Sequence, residues 1–164
     1  MKIFSGHSIV TKKLVQNTIA QPDSTNLQLY EQFGKDLGDH IKYPAITRER
    51  NITGRVIAIF SVDDNGNLQY LKIVRSISNS LSEEVFSVIK QSAVIKKMPG
   101  NWVVPVFFTL GYEDGSLSAI SISLPASETE PKTFEYNPNN IPSPNGLKIL
   151  NEVVIRGYVK LKKN

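Results

Sequence analysis

The side chains able to do chemistry are few in this sequence. Histidine occurs twice, at His7 and His40. Two are too few for a histidine-based metal site. Cysteine is absent, which excludes disulfides and thiolate metal ligands. Asp63-Asp64-Asn65-Gly66 has the look of the start of a calcium loop. The distal bidentate glutamate such a loop needs is missing, because position 74 is Val. A turn between two strands accounts for the run better. No glycine-rich phosphate loop is present, and Arg48-Glu49-Arg50 mixes signs in the manner of a solvated surface. The expectation is a chain that is not an enzyme, carries no cofactor or metal, and works by binding.

What it binds depends on the elements that position its surface. The chain has 164 residues with 40% hydrophobic and 21% charged side chains, the balance of an ordinary globular protein. Net charge is +4. The excess is mild, with clusters at Lys12-Lys13, Lys96-Lys97 and the C-terminal lysines Lys160, Lys162 and Lys163. It suits a solvated face at least as well as nucleic acid, and no strand interleaves basic and aromatic residues, so no nucleic-acid partner is expected. No apolar run approaches a membrane span of ~18 residues, and "MKIFSGHSIVTKKLV" has no uninterrupted apolar region of the signal-peptide kind. These features suit a cytosolic protein or the soluble piece of a longer, membrane-anchored one.

Residues 1–25 read as an irregular lead-in. A first helix is expected from about Asn26 to Ile41, with Thr25 and Gln28 in capping-box spacing and Leu29, Tyr30, Phe33, Leu37 and Ile41 on one face. Gly34 and Gly38 share a stripe, which suggests close backbone packing. Pro44 stops the helix and pushes Tyr43 out of helical conformation. Gly54–Val62 and Leu68–Ile77 form a hairpin around Asp63–Asn67, with glycine where positive φ is needed. Val56, Ala58, Phe60 and Val62 share one face of the first strand. The alternation slips between Leu68 and Leu71, the mark of a bulge. A second helix runs from about Leu81 to Gln91, opened by Ser80 and Glu83. Asn101–Leu110 is a third strand, and Pro105 within it predicts an edge position or a bulge. Leu117–Leu124 reads as a fourth strand hairpinned to the third. Residues 125–146, rich in Pro, Ser and Asn, read as a flexible or extended linker, and 147–164 as a basic β-prone tail. The resulting domain covers 26–124. It is α+β, a small antiparallel sheet of three to four strands with two helices on one face, in the order α-β-β-α-β(-β).

From about Leu27 to Leu110 the sequence resembles the C-terminal domain of the TonB family. The residues that carry the resemblance are Tyr43-Pro44, Gly54-Arg55-Val56, Phe60, Val62-Asp63, Asn65-Gly66, Val74-Arg75-Ser76, Leu81 and "VVPVFFTL" from Val103 to Leu110. The segment "KKMPGNW" departs from the family pattern: it is shorter, and Trp102 abuts the strand directly. The resemblance implies that Tyr43 packs against the sheet, that Pro44 fixes the chain's exit angle, and that Thr47–Thr53 is a polar, solvent-facing connector. With Gly54 and Gly66, these two form the structural motif. It also implies a periplasmic, membrane-associated role in transport or energy coupling, in which the domain pairs a segment of an outer-membrane receptor with its own sheet edge by β-augmentation. Trp102, Val104, Val106, Phe108 and Leu110 then belong to the docking edge. A second implied role is that of a sensory or scaffold module in a larger membrane protein such as a peptidase regulator.

The tail adds a second resemblance. "LNEVVIRGYVKLKK" is similar to the segment of SusC-like outer-membrane receptors that contains the TonB box. Glu152, Val153, Val154, Ile155, Gly157 and Tyr158 match it, while Arg156 and Val159 depart. One chain would then hold both a capture domain and a segment of the kind it captures. The tail is expected to pair with a sheet edge of its own chain or, in a homodimer, of a neighbour. A linker of about 22 residues reaches on the order of 25 Å as a coil, enough for either.

Overall fold

The computed structural model describes residues 26–114 and 131–160. Helix α1 (Leu27–His40) is followed by a short helix α2 (Ala45–Glu49), strands β1 (Gly54–Val62) and β2 (Leu68–Arg75), helix α3 (Asn79–Gln91) and a 3₁₀ turn at Val94–Lys97. Then come β3 (Gly100–Tyr112), β4 (Glu135–Tyr136), β5 (Lys148–Ile149) and β6 (Val153–Val159). The class is α+β, as the sequence predicts, but among the described residues the sheet has six strands. Its order is β4-β2-β1-β3-β5, with β6 also on β3. β1, β2, β3 and β4 pair antiparallel, whereas β5 and β6 run parallel to β3.

The core lies between one sheet face and the helices. Val56, Ala58, Phe60 and Val62 of β1 are buried there against Phe33 and Leu37 of α1 and Leu81, Val85 and Ile89 of α3. The bulge is present: Ser61 faces Tyr70 and Val62 faces Leu68, which leaves Gln69 unopposed. In the β1–β2 turn, Asp63 Oδ1 accepts the Asn65 and Asn67 N–H groups. Gly66 adopts φ +84°, and a Cβ there would lie 2.6 Å from the Lys96 carbonyl oxygen, so this position needs glycine for two reasons.

Several expectations are corrected. The N-cap of α1 is Asn26, with no side-chain cap bond; Thr25 lies outside the described residues. The N-cap of α3 is Ser78, whose Oγ accepts the Leu81 N–H, and not Ser80. The connector after Pro44 is not a solvent-facing loop. The first helix ends at His40 with Ile41 as its C-cap, Pro44 is the N-cap of the next, and Thr47, Ile52 and Thr53 are buried. The predicted strand Leu117–Leu124 lies outside the described residues. The place beside β3 that it was to fill is held by β5 and β6.

Residues 131–147 are not a loose linker but a strap across the sheet face opposite the helices. Its start is fixed on the β2 edge by Phe134, which packs on Phe86 at 5.9 Å and accepts the Ile73 N–H. Lys90 sits over the Tyr136 ring at 4.8 Å. Asn137 then closes a turn on Ile141 with two hydrogen bonds. Ile141 and Leu147 pack on Ile59, Tyr70 and Val103, a small second core. The strap thus delivers the chain from one sheet edge to the other, where β5 begins.

Candidate peptide-binding edge

The outer edge of β3 is where the sequence's candidate residues meet. The Val103 carbonyl accepts the Leu150 N–H at 2.8 Å. Strand backbone alternates in direction, so the peptide groups of Val103, Pro105, Phe107 and Thr109 face the tail, and those of the even-numbered residues face β1. Pro105 brings no N–H to the tail side. The tail is interrupted there: β5 stops opposite Val103 and β6 starts opposite Val106. Pro105 does not make β3 an outermost strand, nor does it bulge the β1–β3 register, which is continuous. Its missing donor is absorbed by a gap in the neighbouring strand instead.

The strand expected to dock a peptide is therefore the docking strand of the tail, but the five named side chains do not face the docked segment's ladder. Trp102, Val104, Val106, Phe108 and Leu110 are all buried on the helix side. Trp102 donates its indole N–H to the Met98 carbonyl at 2.9 Å and packs on Tyr30 at 5.1 Å. Trp102, Val104, Val106 and Phe108 share the main core with Val153 and Ile155 of the tail.

Register puts Val153 opposite Val106, Ile155 opposite Phe108 and Gly157 opposite Leu110. Val153 and Ile155 are buried, while Val154 and Tyr158 point to the other face and are half exposed. Val153 also passes α1 at Gly34, where a Cβ would sit 3.9 Å from its methyl; nothing lies within that range of Gly38. The glycine stripe thus gives room to the tail at one position only. Glu152 leads the strand. Its carboxylate accepts from Arg55 Nε at 2.5 Å, and the Arg55 guanidinium lies over the Phe107 ring at 4.8 Å. The hydrogen bond and charge of Glu152 raise the Arg55 pKa.

Tyr43 closes the far end of the seat. Its ring meets Phe108 edge-on at 5.3 Å, and its hydroxyl donates to the Ile52 carbonyl. Burial pushes the phenol up to about 12. A Cβ on Gly157 would stand 2.7 Å from Tyr43 Cδ2 and 2.9 Å from Leu110 Cδ2. Pro44, next in the chain, is the N-cap of α2. Gly54 adopts φ +147°, beside Ile77, at the start of β1 and opposite Phe108, and Gly66 lies in the distal turn. Arg55 and Phe107 lie in stretches that carry the family resemblance but are not among the binding residues expected from sequence. Their pattern places them on the outward face, but nothing local links Arg55 to a carboxylate 97 positions away.

Of the chemistry considered from sequence, Asp63 is engaged in its turn and His40 Nδ1 contacts the Asp36 carbonyl of its own helix at 2.8 Å. His7 lies outside the described residues. Among the described residues no group of three or more His, Asp or Glu side chains could hold a metal ion. No described helix is long and apolar enough to cross a membrane.

An α+β layer whose last sheet position is filled by a parallel C-terminal strand defines a strand-completed domain. Residues 39–110, from the end of α1 to β3, match the family described as Gram-negative bacterial TonB protein C-terminal. The solution structure of the Helicobacter pylori TonB C-terminal domain is similar, with 18% identity and a TM-score of 0.41 over 49% of this chain and 92% of that one. The comparison with curated proteins gives no match.

Proposed function

We propose that this domain captures an extended segment of a partner protein at the outer edge of β3, as a periplasmic module of transport or energy coupling whose partner is an outer-membrane receptor. The observation that carries the reading is the seven-residue parallel pairing of β6 with β3. An edge that accepts one strand through backbone bonds, with apolar seats for alternate side chains, has the features β-augmentation requires. The family match over residues 39–110 supports the same direction. The tail is the resident occupant of that edge. It can leave because β6 is paired on one side only among the described strands.

A tethered occupant competes at an effective concentration on the order of millimolar. Titration of the full chain with a peptide of residues 148–160 into that range tests the reading by backbone amide shifts. Shifts concentrated at the displaced tail, Val153–Val159, are expected, because the peptide re-creates the same pairing on β3. Saturable shifts confined to another surface, or none at all, contradict it.

A further inference from the structure

The resident tail also shows what the edge selects for. At its head is a carboxylate, Glu152, held by Arg55 at 2.5 Å. Val153 and Ile155 then fill buried positions. Five residues after the carboxylate comes Gly157, where even one added carbon would lie 2.7 Å from Tyr43 and 2.9 Å from Leu110. The Tyr43 ring cannot swing away cheaply: its hydroxyl is bonded to the Ile52 carbonyl and its edge rests on Phe108. Between these fixed points Val154 and Arg156 are exposed, as is Tyr158 just beyond them.

Resting on the capture reading, we propose that Arg55 and Tyr43 are its specificity residues. The captured segment runs parallel to β3 with the pattern acidic, apolar, any, apolar, any, glycine. Arg55 on Phe107 reads the carboxylate, and the Tyr43–Leu110 wall reads the absence of a side chain. The partner is thus a protein bearing an extended segment of that chemistry, and the chain's own tail is a tethered copy of it. The two readers act differently. The ion pair is exposed and sets register and orientation more than affinity. The glycine seat acts by exclusion, because a side chain there has nowhere to go.

The test uses the full chain carrying Gly157→Val, in which the tail can no longer seat, and labelled peptides of residues 148–160. The native peptide is expected to bind. A peptide with Gly157→Val should bind about tenfold or more weakly, the consequence of overpacking a fixed wall. A peptide with Glu152→Arg should bind several-fold more weakly, and Arg55→Glu in the chain should restore it. Equal binding of all peptides overturns the two readers while leaving the capture reading standing. No binding by any peptide removes both. A second measurement does not depend on the fold of the Gly157→Val chain. In the otherwise native chain, hydrogen exchange at β6 should speed up in Arg55→Glu and in Glu152→Arg, and slow again in the double reversal. Exchange unaffected by either single reversal overturns the role of Arg55.

Discussion

Ile155→Ala distinguishes a docked tail from an integral strand. Ile155 is 5% exposed and rests in the main core opposite Phe108. Its truncation removes three carbons at about 0.8 kcal/mol each, roughly 2.4 kcal/mol before any cavity cost. If β6 is a displaceable element, that loss falls on tail docking and is capped by the docking free energy. A second lesion, Val153→Ala, then adds little once the tail has left. Two probes separate the cases in urea. Trp102, the single tryptophan, is buried near the start of β3 and reports the main core, while amide exchange at β6 reports the tail. The expected result is that β6 amides exchange far faster in Ile155→Ala and that the Trp102 transition moves by much less than 2.4 kcal/mol. In the double variant the transition should move no further. Full, additive losses in the Trp102 transition, with β6 amides exchanging only through global unfolding, would refute the reasoning.

Gly66→Ala places a Cβ against the Lys96 carbonyl oxygen at φ +84°. Backbone on both sides gives no easy relief, so a loss of roughly 1–3 kcal/mol is expected by chemical denaturation, without change in peptide binding at the opposite end of the sheet. Tyr43→Phe should alter the alkaline side of the stability curve. The Tyr43 phenol titrates at about 12 in the folded chain against 10.0 for a free one, through burial. A raised folded pKa favours the fold below pH 10 and loses that contribution as pH rises towards 12. The native chain should therefore lose stability more steeply over this interval than Tyr43→Phe, as followed by urea midpoints.

The parts of this fold that sequence predicts are those with local causes. The β1 face of Val56, Ala58, Phe60 and Val62, the bulge at Gln69 and the Asp63–Asn67 turn each follow from period or turn chemistry within a few residues. The α3 cap is a narrower failure. Ser78 and Ser80 differ by two positions in a serine-rich approach, and only the folded backbone decides which hydroxyl reaches the Leu81 N–H. The strap is illegible for a different reason. Its proline and asparagine content carries no period, yet Ile141 and Leu147 pack it on the second core and Phe134 and Asn137 fix its course. For the site, composition points to a β-prone tail and to β3 as an edge. The side-chain set is misplaced because Trp102–Leu110 alternation identifies the buried face, not the direction of the hydrogen bonds. Arg55 and Phe107, on the opposite alternation, complete the site only when Glu152 is brought to them by the strap.

The most direct measurement locks the tail. The chain has no cysteine, and Thr109 stands opposite Arg156 in the β3–β6 register, a spacing between paired strands that a disulfide can span. In a Thr109→Cys/Arg156→Cys chain, oxidation fastens the tail on β3 and reduction frees it. Binding of the 148–160 peptide in its millimolar range should vanish on oxidation and return on reduction. The same binding in both states, or none in either, would contradict the claim that the edge of β3 is where a partner segment is captured.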